Sequence, residues 1–269
     1  MPRDAAARSG ALLRANQPWA DAELARLYDV FPFEDDLPLY LDLARRQGSR
    51  VLEVACGSGR VLVPLVAAGS DVVGIDASPH MLSIAREKLE ARDLNARLLQ
   101  ADMRSFDLEH KDFDLAIVAV KSFAYLTEPE DQLTCLKNIH AHLRPGGMLA
   151  IDLLHPRLEW ISAQSGSMRD DLLQHVPERG ITLSRIESVV SNDLARQVRV
   201  IRSIYETVDD HGRVIDKRFV EWPYRWMYRF EAEHLLRRAG FEAVEVYGGY
   251  ACQQFVSESP TMLFVATRP

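Results

Sequence analysis

The chain has 269 residues, 47% of them hydrophobic, and a formal net charge of −7. That suits one elaborated α/β domain, or one domain with a cap, better than two independent domains, and an acidic surface that repels phosphate backbones argues against a nucleic-acid partner. Three cysteines, Cys56, Cys135 and Cys252, give no disulfide framework and no paired metal spacing; with no apolar leader and no run of about 18 apolar residues, a cytoplasmic protein without a membrane span or a metal is expected.

Residues 1 to about 48 read as helical. Trp19, Leu24, Leu27, Tyr28, Phe31, Phe33, Leu37, Tyr40, Leu41 and Leu43 form an aromatic-rich stripe that Pro32 and Pro38 divide; it is either a core-covering helix or a lid over an active site. From Arg50 onward strands and helices alternate. VLEVA (Val51–Ala55) is a short apolar strand, Gly57, Ser58 and Gly59 a turn, and Val61–Ala68 a helix. DVVGID (Asp71–Asp76), ARLLQ (Ala96–Gln100), FDLAIVAV (Phe113–Val120) and MLAIDLL (Met148–Leu154) are four further strands, the last entered through Pro145, Gly146 and Gly147. Helices over Pro79–Ala91, with Met81, Leu82, Ile84, Ala85 and Leu89 at helical spacing and Ser78 as N-cap, and over Glu130–Leu143 fill the intervals. Apolar strands separated by helices imply a parallel sheet covered on both faces.

After His155 the pattern changes. Residues 156–180 read as irregular; Ile181–Val190, Gln197–Val208 and Val214–Trp222 alternate as strands, with Asn192-Asp193 and Asp209-Asp210-His211-Gly212 as turns. This predicts an antiparallel insert of about three strands. Arg229–Ala239 is a helix stopped by Gly240, and Glu242–Tyr247 and Thr261–Thr267 are closing strands.

The strand–turn–helix VLEVACGSGR (Val51–Arg60) is the segment that carries chemistry, because a glycine turn there lets a ligand approach the backbone. A dinucleotide site requires a third glycine near Leu62, and none is present. Glu53 stands inside the strand instead. Glu53-Val54-Ala55-Cys56-Gly57-Ser58-Gly59, the strand-end acid Asp76 in VVGIDASPHML, Gln100-Ala101-Asp102-Met103 and LRPGGMLAIDLL (Leu143–Leu154) together resemble, in order and spacing, the class I S-adenosylmethionine-dependent methyltransferases. The resemblance covers about residues 50–155. It implies a seven-stranded, mostly parallel sheet with helices on both faces and an antiparallel last strand. It also implies a cofactor site of Glu53, Ala55, Cys56, Gly57, Gly59, Asp76, Ala77, Met81, Ala101, Asp102, Met103, Val118 and Phe123, with Asp76 on the ribose hydroxyls and Asp102 and its neighbour at the adenine edge. Cys56 has no histidine beside it in the motif, so it reads as structural rather than nucleophilic.

The expected organisation is a helical lid over 1–48, a cofactor-binding core over 49–155, an antiparallel insert over 156–228, and a helix with closing strands over 229–269. The acceptor is expected beyond the carboxyl ends of the fourth and fifth strands. There the chain lacks the Asn/Asp-Pro-Pro-Tyr of DNA and protein-glutamine N-methyltransferases and the paired glutamates of protein arginine methyltransferases. It is more similar to small-molecule N-methyltransferases acting on glycine or amino sugars. Tyr125 and His155 are candidate catalytic residues, an amine acceptor needing a base; Tyr28, Tyr125 and Arg225 are candidate acceptor contacts, an arginine suiting a carboxylate. Transfer to oxygen or carbon, and a non-catalytic cofactor-binding relative, are the alternatives. The insert strands also offer a surface for a homodimer.

Overall fold

The computed structural model describes residues 19, 21–31 and 33–269; the part of the expected lid over residues 1–18 lies outside them. The chain divides into two compact units: the segment before Phe33 with Leu158–Arg225, and Phe33–Arg157 with Trp226–Pro269.

The second unit holds a seven-stranded sheet built from β1 (Arg50–Val54), β2 (Asp71–Asp76), β3 (Arg97–Gln100), β4 (Phe113–Val118), β5 (Leu143–Leu154), β10 (Glu242–Tyr247) and β11 (Thr261–Thr267); the four strands that intervene in the chain belong to the first unit. The order is β10-β11-β5-β4-β1-β2-β3. The strands from β5 to β3 run parallel, and β11 runs antiparallel to both β5 and β10. The central strands are apolar on both faces because both are covered. Leu52, Val54, Ala116 and Val118 join one buried cluster and Val51, Leu115 and Ile117 the other. Covering helices are α2 (Leu37–Gln47), α3 (Leu62–Ala67), α4 (Pro79–Glu90), α5 (Pro129–His142) and α7 (Arg229–Arg238); α1 (Ala22–Tyr28) and α6 (Leu158–Ser162) lie in the first unit. Ser78 caps α4, its Oγ accepting from the Met81 N–H at 3.2 Å. Pro38 sits in the first turn of α2, so it starts that helix rather than breaking it. β5 begins earlier than its sequence suggests: Leu143 pairs with Phe113, and the Pro145-Gly146-Gly147 turn becomes an irregularity inside the ladder.

In the first unit β6 (Met168–Val176), β7 (Ile181–Asp193), β8 (Val198–Asp209) and β9 (Val214–Arg225) form one antiparallel sheet in that order. This corrects the expectation of three strands preceded by an irregular 156–180, which contains α6 and β6. β6, MRDDLLQHV, lacks apolar alternation and exposes Leu173; its ladder to β7 makes it a strand, a tertiary effect that local propensity does not carry. β9 contains Pro223 and is an edge strand, where a missing N–H is tolerated. The aromatic stripe before Phe33 packs on this sheet. Trp19 lies 5.2 Å from Trp222 and 5.2 Å from Tyr28, and Phe31 lies 6.4 Å from Tyr205. Asp21 caps α1, and Arg218 of β9 pairs with Asp21 and Glu23. Among the described residues no helix is long and apolar enough to cross a membrane.

His142, at the end of α5, is buried and locked as a neutral ring: its Nδ1–H donates to the Asn138 carbonyl at 2.8 Å and its Nε2 accepts the Leu108 N–H at 3.1 Å. Burial holds its pKa below the usual histidine value, against the Asn138 bond. A histidine depressed in the folded state binds its proton first in the unfolded chain, so stability falls as pH drops through about 6.5, by at most about 1.4 kcal/mol per pH unit for one proton. In urea unfolding, the wild type should therefore lose stability relative to His142→Gln on going from pH 7.5 to 5.5. An equal slope in that variant would remove His142 as the cause.

Candidate functional site

Going outward from the sheet centre, β1, β2 and β3 lead one way and β4 and β5 the other, so the strand order reverses between β1 and β4. In open α/β sheets the crevice beyond the carboxyl ends of the strands at such a point is where ligands bind. The glycine loop follows β1 there. Ala55, Gly57 and Gly59 have φ of 59°, 55° and 78°, and the Cys56 and Gly59 N–H groups bond to the Ile75 and Cys56 carbonyls at 2.9 and 3.0 Å. The two glycines do different things. A Cβ on Gly59 would stand 3.2 Å from the side chains of Ala85 and Val63, so that glycine lets α4 and α3 close on the loop. A Cβ on Gly57 would meet nothing within 4 Å, leaving bare backbone beside open space.

Asp76 ends β2 beside this loop. Its Oδ2 accepts the Gly57 N–H at 2.9 Å and its Oδ1 the Ser78 N–H at 2.8 Å. Burial raises its pKa above the usual carboxylate value and these two donors oppose the rise. Each oxygen keeps a further lone pair for a hydroxyl donor. Glu53, in β1, is 2% exposed; burial pushes its carboxyl up to about 8, Arg60 opposes this, and Asp36 and Asp76 add to it. The Leu62 N–H is its backbone donor, and Oε2 is buried without a hydrogen-bond partner. Arg60, which follows the loop, grips the fully buried Asp36 at 2.5 and 2.7 Å, donates to the Phe33 carbonyl at 2.7 Å and lies over the Phe33 ring, tying the entry to α2 to the glycine loop.

The other expected residues fall as follows. Burial raises the Cys56 thiol well above its usual pKa, which makes it a poor nucleophile. The Ala101 N–H bonds to the Asp76 carbonyl at 3.0 Å, and the Gln100 amide to the Ala77 carbonyl at 3.3 Å. The Asp102 carboxylate is forked by Arg104, at 2.9 Å to Nε and 2.6 Å to Nη2, which holds its pKa below the usual range; Arg104 also reaches Asp131 at 2.8 Å. Met81, Val118 and Phe123 are buried, Val118 and Phe123 in one core cluster, and Met103 packs partly buried against that cluster. Tyr125 ends the short 3₁₀ turn Ser122–Tyr125, half-buried. His155 follows β5, its Nδ1 2.7 Å from the Ser259 carbonyl and its ring edge-on to Phe255. Tyr28 and Arg225 lie in the other compact unit, Tyr28 against Trp19 and Arg225 3.3 Å from Gln197 Oε1.

Sequence reasoning missed Lys121, Asp152 and Tyr250. Asp152 is fully buried in β5; its Oδ1 accepts the Lys121 N–H at 3.0 Å and its Oδ2 the Tyr250 hydroxyl at 2.7 Å, with Lys121 Nζ at 3.3 Å. Burial and Asp152 raise the Tyr250 pKa. Val120 and Lys121 both have left-handed φ, 53° and 59°, and for a β-branched valine that conformation is strained. The usable signal was Asp152 itself, an acid in an otherwise apolar strand, the same pattern that singled out Glu53 in β1. Among the described residues no group of three or more His, Cys, Asp or Glu is placed to hold a metal.

A sheet reversed at β1/β4, a glycine loop with one open glycine and an acid at the next strand end define a nucleoside-binding α/β fold. Residues 51–147 match the methyltransferase-domain family. The chain is 30% identical over 210 residues to the glycine N-methyltransferase of Mus musculus, covering 67% of this chain and 70% of that protein. It is 26% identical over 226 residues to the cypemycin N-terminal methyltransferase of a Streptomyces species, covering 82% and 84%. Several other curated relatives match over less than half of their own length. Of solved structures, the sugar N-methyltransferase KedS8 from Streptoalloteichus superimposes with a TM-score of 0.73 at 24% identity over 94% of each chain, a likeness of fold. The chain belongs to the S-adenosylmethionine-dependent methyltransferases.

The residues present fit that cofactor: an orphaned buried carboxyl oxygen at Glu53 suits a cationic ligand, and the open face of Gly57 suits close approach. The Arg60–Asp36 pair is the element that binds the loop to its surroundings. Removing one partner of a buried pair strands the other charge at a cost of about 3–5 kcal/mol. Asp36→Ala should lose about that much in urea unfolding, and a loss under about 1 kcal/mol would show the pair to be dispensable.

Proposed function

We propose that the chain methylates the nitrogen of a small aliphatic amine, with His155 as the base. The observation that carries this reading is the His155–Ser259 contact. A carbonyl oxygen only accepts, so Nδ1 carries a proton, and in the neutral ring Nε2 is then the nitrogen with a free lone pair, at the carboxyl end of β5. An amine must shed a proton to attack, and a positioned imidazole contributes about 10²–10⁴-fold to such a step. When bound, S-adenosylmethionine supplies a sulfonium methyl that is already electrophilic. The protein's remaining work is alignment and exclusion of water, worth roughly 7–11 kcal/mol. In this reading Asp76 takes the ribose hydroxyls, the Gly57 backbone and Glu53 face the amino-acid end, Asp102 meets the adenine edge, and Tyr125 lies with His155 on the acceptor side. The relatives support the amine: one is a glycine N-methyltransferase, one a cypemycin N-terminal methyltransferase, and the structural neighbour a sugar N-methyltransferase.

A panel of small amines, hydroxy acids and phenols incubated with the enzyme and S-adenosylmethionine, with products read by mass spectrometry, tests the acceptor class. Methyl transfer to amines is expected; transfer to oxygen or carbon alone would overturn the reading. His155→Gln should lower kcat about 100-fold or more while leaving S-adenosylhomocysteine affinity unchanged, and an unchanged kcat would remove His155 as the base.

The two loop glycines differ in what a side chain would meet. Gly57→Ala, strained at its φ of 55°, fills the open face and should weaken S-adenosylhomocysteine binding at least tenfold in calorimetry while lowering Tm by a few degrees, whereas Gly59→Ala, strained in the same way, also meets Ala85 and Val63 and should lower Tm further. Asp76→Ala should abolish binding in a folded protein. Wild-type affinity in both Gly57→Ala and Asp76→Ala would move the cofactor away from this loop.

A further inference from the structure

We propose that Glu53 exchanges a proton with solvent when the cofactor binds: it holds the proton beforehand and releases it as the cofactor's positive charge arrives. The inference deepens the reading of the glycine loop as the cofactor's cradle, and rests on it.

The geometry leaves Glu53 with little to stabilise a negative charge. It is 2% exposed, so water does not solvate it. Its backbone donor is the Leu62 N–H, and Oε2 is buried without a partner. The charged and titratable groups that act on it are Arg60 after the loop, Asp36 before α2, Asp76 at the end of β2 and Cys56 in the loop. Asp36 and Asp76 oppose its ionisation. Arg60 favours it, but that guanidinium is gripped by Asp36 through both terminal nitrogens, so much of its field is already compensated. Asp76, by contrast, receives two backbone N–H groups. Burial accordingly pushes Glu53 up to about 8, and at neutral pH it carries its proton.

A carboxylic acid beside open backbone becomes a carboxylate once a cation is placed near it, because an opposite charge favours the ionised form. The Glu53 O–H bond breaks, the proton passes to buffer, and the carboxylate faces the ligand's positive charge. S-adenosylmethionine carries two positive groups, an ammonium and a sulfonium, and S-adenosylhomocysteine only the ammonium. Comparing the two ligands distinguishes which group drives the release.

The test is titration calorimetry of the full chain at pH 7 in two buffers of different ionisation enthalpy. Close to one proton should be released per cofactor bound. Release with both ligands assigns the effect to the ammonium, and release with S-adenosylmethionine alone to the sulfonium. Between pH 6 and 7.5, Kd should tighten by nearly tenfold per pH unit. In Glu53→Gln the release should vanish and Kd become flat over that range, whereas Asp36→Asn, which leaves the Arg60 charge uncompensated beside Glu53, should reduce the release. An infrared difference spectrum of the wild type on ligand addition, showing loss of a protonated-carboxyl C=O band, gives the same answer without a variant. Binding without proton release, or release that persists in Glu53→Gln, overturns the proposal. If Asp76→Ala has lost binding while the wild type binds without releasing a proton, the cradle stands and the Glu53 proposal alone falls.

Discussion

Burying carboxylates at the carboxyl ends of parallel strands is the constraint around which the core unit is arranged. β1, β2 and β5 each carry an acid, Glu53, Asp76 and Asp152, among apolar neighbours, and a fourth, Asp36, lies fully buried before α2. A buried charge is costly unless it is paired or hydrogen-bonded. Each acid meets that demand differently: two backbone N–H groups at Asp76, a bidentate arginine at Asp36, and a backbone N–H, a phenol and an ammonium at Asp152. Glu53 is the exception, with one oxygen left without a partner.

The backbone is strained at the carboxyl ends of two parallel strands. Ala55 after β1, and Val120 with Lys121 after β4, adopt the left-handed region without being glycine, a choice that costs on the order of 1–3 kcal/mol each. The strain falls at the two strand ends that flank the reversal of strand order. It persists because the surroundings fix it: the Cys56 N–H is held by Ile75, and the Lys121 N–H by Asp152. The rigid core on both faces of the sheet makes such local cost tolerable, and the strained turns place the Gly57 backbone and the Lys121 side chain.

The parallel half of the fold was legible because its signals are local. Apolar strands, a Ser78 cap and a Gly-x-Gly turn each follow from residues within a few positions of one another. The same holds for Asp76, whose partners Gly57 and Ser78 sit in the motifs that named it. What sequence did not disclose depends on distant partners. Nothing in MRDDLLQHV marks β6 as a strand until β7 lies beside it. The Lys121–Asp152–Tyr250 network spans 129 positions of chain, so no window contains it. Asp102 was read for its ligand alone, and the structure adds Arg104, two residues on, which orients the carboxylate.

The charge balance of the site explains why these pieces occur together. Asp36 and Asp152 are matched by Arg60 and Lys121 and are neutral as pairs. Among the described residues Asp76 and Glu53 have no ion-pair partner of their own; the first accepts two backbone N–H groups, and burial pushes the second up to about 8. The core therefore holds acid in excess of its own cations at the point where the glycine loop opens, and a ligand bearing positive charge corrects that excess. A neutral nucleoside would gain the Asp76 contacts but nothing at Glu53. On the proposed reading of the glycine loop as the cofactor's cradle, the acid inside β1, which a dinucleotide site does not require, is where a charged ligand would be told from a neutral one.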